Sequence, residues 1–94
     1  MADDLDRYIA ERDKRSPGFK ALVDAAEKRR AFVRKMAERR KARGLSQTQI
    51  AARMDTSASI VSRLESGADV RMSTLEKYAA ALGFKLEISA REAV

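Results

Sequence analysis

The 94 residues contain no cysteine, no histidine and no tryptophan, and only one proline and four glycines interrupt regular backbone. Without cysteine there are no disulfide staples, thiolate zinc sites or sulfur nucleophiles. Without histidine the commonest general base and metal ligand is missing as well. The sequence points to no catalytic residue, metal site or cofactor, and the chain is not expected to be an enzyme. Aromatics make up 5% of the chain against 45% hydrophobic residues overall, so the core must be aliphatic, which favours helices. No apolar run approaches the 18 or so residues of a membrane span. The opening "MADDLDRYIAERD" is acidic where a secretory signal would be basic and then apolar. The expectation is a cytoplasmic protein without a membrane partner. A chain of this size buries only about 60 to 65% of its unfolded surface, enough for one small core and an appendage.

The net charge of +6 is unevenly placed. Residues 28–43, "KRRAFVRKMAERRKAR", hold nine basic residues and one acid, whereas residues 1–27 carry five basic and seven acidic residues and residues 44–94 carry six of each. The whole excess therefore sits in one segment. Such a block is either a solvated helix face or a site for a phosphate backbone, whose neutralisation releases counterions.

Asp3 to Arg15 places Leu5, Tyr8, Ile9 and Arg12 at helical spacing, with Asp3 and Asp4 at the positive end of the helix dipole. "SPGF", Ser16 to Phe19, breaks that helix. From about Lys20 to Arg43 nothing breaks a second one. Its apolar stripe of Leu22, Ala26, Val33, Met36 and Ala37 is interrupted by Arg29 and Arg30, as though its first half projected from the core. Gly44 suits a left-handed cap, and Ser46 with Gln49 forms a capping box for a helix reaching about Met54. "DTS" makes a turn before a helix from about Ser57 to Ser66, which Gly67 ends. Ser73 with Glu76 reads as a second capping box ahead of Leu75, Tyr78, Ala79 and Leu82, and Gly83 closes that helix. "FKLEIS", Phe84 to Ser89, alternates with period two and predicts a strand, which needs another chain to pair with or lies as an extended tail.

Between Ser57 and Ser66, Val61 and Leu64 fall on one side, and Ser59, Ser62, Arg63 and Ser66 on the other. A helix entering a DNA major groove needs short side chains for close approach and a few long donors, and arginine matches guanine O6 and N7. The same pattern would also suit an ordinary surface helix.

"GLSQTQIAARMDTSASIVSRLESG", Gly44 to Gly67, resembles the helix-turn-helix of the phage-repressor family, the XRE or Cro/C1 type, and the resemblance continues through "STLEKYAAALG" to Gly83. It implies an all-α, five-helix, phage-repressor-like fold with an N-terminal helical extension and a short C-terminal β-strand. It implies a double-stranded DNA operator as partner, a homodimer matching two half-sites, and a prokaryotic cytoplasm. By position, Gln47 corresponds to a phosphate-anchoring residue, Ser57, Ala58, Ser59, Ser62 and Arg63 to the recognition surface, and Arg71 to a phosphate-contacting loop. Ser59 and Arg63 are the base-reading candidates. Arg40 and Glu65 correspond to a structural ion pair, and Ala51, Val61, Leu64, Leu75 and Leu82 to core positions. The sequence departs from the family at Asp55, commonly glycine, at Arg39, commonly apolar, and at Ala58, glutamine in some relatives.

The layout is similar to that of HigA-type antitoxins, in which extra helical segments bind a small basic RelE/HigB-like ribonuclease toxin and the protein represses its own operon. Residues 1–27 are then the partner-binding extension, with Leu5, Tyr8, Ile9, Phe19, Leu22 and Val23 as apolar anchors, residues 28–83 the DNA-binding domain, and residues 84–94 a tail suited to dimerisation. The alternatives are a flexible or self-packing N-terminal arm, a stand-alone regulator with no toxin, and a small RelE-type nuclease, for which one strand is too few.

Overall fold

Five helices follow one another in a computed structural model that describes residues 3–92: α1 (Asp4–Arg15), α2 (Phe19–Ala42), α3 (Gln47–Arg53), α4 (Ala58–Glu65) and α5 (Met72–Ala81). Residues 1–2 and 93–94, the outermost parts of the expected extension and tail, lie outside the described residues. Two compact units can be separated, one of Arg29–Ser89 and one of the residues through Lys28 together with those from Ala90 on.

In the Arg29–Ser89 unit, Val33 and Met36 of α2, Ile50 and Ala51 of α3, Val61 and Leu64 of α4, and Leu75, Tyr78 and Leu82 in and after α5 make one aliphatic core with a single buried ring. Helices of seven and eight residues, α3 and α4, are too short to persist alone in water. What holds them is Ile50, Val61 and Leu64, each 0% exposed, at about 1.5 to 3 kcal/mol per buried side chain. The ends of α2, α3, α4 and α5 close alike, with paired reverse bonds to the last turn: Leu45 N–H to Arg40 O, Thr56 N–H to Ala51 O, Ala68 N–H to Arg63 O and Phe84 N–H to Ala79 O, at 2.9–3.2 Å. Three of these ends use glycine. The fourth uses Asp55 at φ +56°, a short polar side chain that tolerates the left-handed conformation.

In the other unit, Asp3 caps α1 by accepting the Asp6 N–H at 2.8 Å. Gly18, at φ +98°, lets the chain turn into α2, and the Asp13 carboxylate accepts the Lys20 N–H at 2.9 Å, satisfying one of the free donors at the start of that helix. Tyr8 meets Phe19 edge to face at 6.4 Å between centroids, and the Arg12 guanidinium lies over the Phe19 ring at 5.0 Å.

Two expectations are corrected. The strand expected over 84–89 is not formed among the described residues: a lone segment has no ladder to join within one chain. Phe84 and Leu86 instead pack against the core while Ile88 is exposed. The capping box at Ser73 is also absent. The Arg71 carbonyl accepts the Thr74 and Leu75 N–H groups at 3.0 and 3.2 Å, so α5 begins two residues earlier and Ser73 falls inside its first turn; no side chain caps this helix.

Candidate nucleic-acid interface

The capping box at the start of α3 is complete: Ser46 Oγ accepts the Gln49 N–H at 3.0 Å and Gln49 Oε1 accepts the Ser46 N–H at 2.7 Å. The Schellman turn through Met54, Asp55 and Thr56 then aims the chain into α4, where Ser57 accepts the Ile60 N–H at 3.4 Å and shares a 3.0 Å hydroxyl contact with Ser59. With Val61 and Leu64 fully buried, the helix rotation is fixed, and Ser59, Ser62 and Arg63 stand exposed on the opposite side. Ser57 is exposed and Ala58 half-buried at the entrance to that face. Ser66 Oγ donates to the Arg63 carbonyl at 2.7 Å, and no side-chain partner engages the Arg63 guanidinium among the described residues. The outward face is small, hydroxylated and cationic, the shape and chemistry a major groove admits.

Arg71, exposed just before α5, shares an open cleft of about 430 Å³ with Arg63, Lys77, Thr56, Asp55 and Asp69. Arg63 and Arg71 therefore border the same hollow, from α4 and from the loop ahead of α5. Gln47 is placed differently: it is half-buried, and its Nε2 donates to Glu65 Oε1 at 3.0 Å.

That bond belongs to a buried polar cluster under α4. Arg40 grips Glu65 with two parallel bonds, Nε to Oε2 at 2.8 Å and Nη2 to Oε1 at 2.9 Å, and its Nη1 donates to the Leu45 carbonyl at 2.8 Å. Tyr78 OH donates to Glu65 Oε2 at 2.7 Å. Both charged side chains are 7% exposed. Burial alone would push the Glu65 carboxyl up, but the donors from Arg40, Gln47 and Tyr78 and the adjacent Arg40 charge outweigh it and hold the group below the usual carboxylate range. Tyr78 is pushed far up by burial and by its bond to the carboxylate, and Arg40 is raised chiefly by its bond to Glu65. One carboxylate thus ties α2, α3, α4 and α5 together, which fixes the pitch at which α4 is presented. Gln47 and Tyr78 as members of this cluster were not identified from sequence. The available signal was that a tyrosine at a core position needs a partner for its hydroxyl.

The basic segment divides by face. Arg40 is buried, Arg39 and Arg43 place their guanidiniums over the Phe84 ring at 5.1 and 4.9 Å, and Arg34, Lys35 and Lys41 are exposed. Arg43 also donates to the Leu82 carbonyl and Arg53 to the Ala81 carbonyl, so two cations satisfy acceptors at the negative end of α5. Arg39, at a commonly apolar position, lies at the core edge against Phe84 rather than within the core.

The model of the family described as helix-turn-helix matches residues 36–88, more than half of the chain. The chain belongs to the helix-turn-helix family, of XRE type. It is also similar to Antitoxin HigA1 of Mycobacterium tuberculosis, strains CDC 1551 / Oshkosh and ATCC 25618 / H37Rv. With each it shares 38% identity over 89 residues, covering 94% of this chain and 60% of the relative. The chain thus spans 60% of the length of the curated relatives it matches. Within this helix-turn-helix, the matched span runs from Met36 of α2 through the segment after α5, taking in the whole Glu65 cluster. The α1 unit lies outside the matched span, whereas the similarity to the HigA1 antitoxins covers 94% of this chain and so reaches into that unit.

In the α1 unit Leu5, Tyr8 and Leu22 are 63%, 49% and 71% exposed, while Ile9, Phe19 and Val23 are half-buried. Three of the six expected apolar anchors are thus largely open to solvent. No helix among the described residues is long and apolar enough to cross a membrane.

Proposed function

We propose that this chain is a cytoplasmic, dimeric repressor that binds a double-stranded DNA operator through α4, and that it is the antitoxin of a toxin–antitoxin pair, capturing a basic RelE/HigB-like ribonuclease toxin through the segment 1–27. The observation that carries the DNA-binding part is the pitch of α4, set from beneath by the Glu65 cluster, with Ser59, Ser62 and Arg63 outward. Ser59 and Arg63 read bases, Ser57, Ala58 and Ser62 allow close approach, and Gln47 and Arg71 meet phosphates on either side. Arg40 and Glu65 are structural.

The similarity to the HigA1 antitoxins, which covers 94% of this chain and so reaches into the α1 unit, supports the antitoxin part. Charge and exposure support it too. Residues 1–27 carry seven acids against five basic residues, a poor companion for phosphate and a good one for a cationic protein. Exposed Leu5, Tyr8 and Leu22 supply apolar anchors of the kind that dominate interface energy. The test is the double variant Tyr8→Asp with Leu22→Asp, both at exposed positions, co-expressed with the small basic protein encoded beside this gene. Operator affinity is expected to be retained and co-purification of the toxin lost. Capture at the wild-type yield would remove residues 1–27 from the interface, and the lack of any such neighbouring protein would leave a stand-alone regulator.

A further inference from the structure

The segment after α5 is anchored at one end and open at the other. Phe84 is held by its N–H on the Ala79 carbonyl at 2.9 Å and by the Arg39 and Arg43 guanidiniums over its ring. Leu86 also packs against the core, but Ile88, next in the same parity, is 63% exposed, and Lys85 and Glu87 face solvent. Among the described residues no main-chain group from Lys85 to Ser89 is hydrogen-bonded to another main-chain group. A stretch anchored at Phe84 whose main-chain donors and acceptors have no main-chain partner, and whose side chains alternate with period two, is a template for another strand.

We infer that its occupant is the same stretch of a second copy, paired antiparallel with Leu86 opposite Leu86 on the two-fold axis. The pattern Phe84-Lys85-Leu86-Glu87-Ile88 is self-complementary in that register: Lys85 faces the partner's Glu87 twice over, and Phe84 faces the partner's Ile88. All six apolar side chains then share one face, turned to the two cores, and the exposed Ile88 is covered by the other copy. Neighbouring registers fail on the same counts. A slip that changes parity sets Lys85 against Leu86, centring on Lys85 opposes two lysines, and centring on Glu87 opposes two glutamates. This inference deepens the dimeric reading above and rests on it.

Sedimentation equilibrium of the full chain at micromolar concentration, with melting curves as the folding control, tests the register. Lys85→Glu and Glu87→Lys each replace two attractive cross-strand pairs by two repulsive ones and are expected to weaken the dimer about tenfold. The double swap restores association, and an equimolar mixture of the two single variants forms heterodimers in preference to either homodimer. A dimer indifferent to all of these changes overturns the register while leaving dimerisation itself standing; a chain that is monomeric throughout overturns both. Because the chain has no cysteine, Leu86→Cys gives a second reading. Mild oxidation is expected to cross-link it to itself faster than Lys85→Cys, and the reverse order refutes the two-fold at Leu86.

Discussion

Arg40→Ala removes both charge-assisted bonds to Glu65 and the bond to the Leu45 carbonyl in a single substitution. The Glu65 carboxylate, 7% exposed, would keep only the neutral donors of Gln47 and Tyr78, at 3.0 and 2.7 Å. Stripping one member from a buried ion pair costs about 3 to 5 kcal/mol, because the other charge is left in a poorly solvated site. Whole domains hold only about 5 to 15 kcal/mol, and in one of this size each kcal/mol moves Tm by about 4 to 8 °C. A fall of at least about 12 °C is therefore expected in circular-dichroism melts at pH 7. The effect has a pH signature. The folded-state pKa of Glu65 lies below its unfolded value, so its stabilisation is complete above the unfolded value of about 4.3 and is lost as pH falls through the lowered one. Arg40→Ala removes the principal donor that lowers it, so the gap between wild type and variant narrows below about pH 4. A variant melting within 2 °C or so of wild type at pH 7, or a gap that widens in acid, would refute the assignment of this cluster as the clamp beneath α4.

Tyr78→Phe deletes one donor while leaving the ion pair intact, so melts should show a smaller loss, about 1.5 to 3 kcal/mol, and a loss exceeding that of Arg40→Ala would invert the assigned hierarchy. At Asp55, φ +56°, valine should cost about 1 to 2 kcal/mol and glycine almost nothing; equal melting of both variants would mean that the turn does not demand the left-handed conformation. Gly67→Ala puts a Cβ 2.8 Å from Arg30 Cγ at φ +90°, so it should lose upwards of about 1 kcal/mol by chemical denaturation, and Arg30→Ala in the same chain should relieve the clash but not the backbone strain.

Local signals in this sequence were legible where they were also decisive. The Ser46–Gln49 box and the glycines at helix ends act within four or five residues, and the structure carries them out with the expected atoms. The box at Ser73 failed for a local reason as well: Arg71 offered its carbonyl first, and nothing in the Ser-x-x-Glu spacing encodes that competition. The strand failed for a global one. Period-two alternation fixes which side of 84–89 turns to the core, as Phe84 and Leu86 show, but it cannot supply the partner that makes an extended segment a strand. Tyr78 counted correctly as core from its helical spacing, yet its hydroxyl bond to a carboxylate 13 positions earlier exists only once α4 and α5 have packed. The same holds for Gln47 and Glu65, 18 apart.

Anisotropy titrations of wild type and Arg63→Ala on a duplex from the gene's own promoter and on a scrambled duplex, at fixed salt, test most directly whether α4 reads DNA sequence. Arg63 is exposed and its guanidinium is unengaged among the described residues, so folding is expected to survive the change. Wild type is expected to prefer the promoter by 1,000-fold or more, roughly. The variant should lose about 1 to 3 kcal/mol on the promoter and almost nothing on the scrambled duplex, because base contacts discriminate and phosphate contacts do not. Equal losses on both duplexes, or no preference by wild type, would contradict base reading by α4.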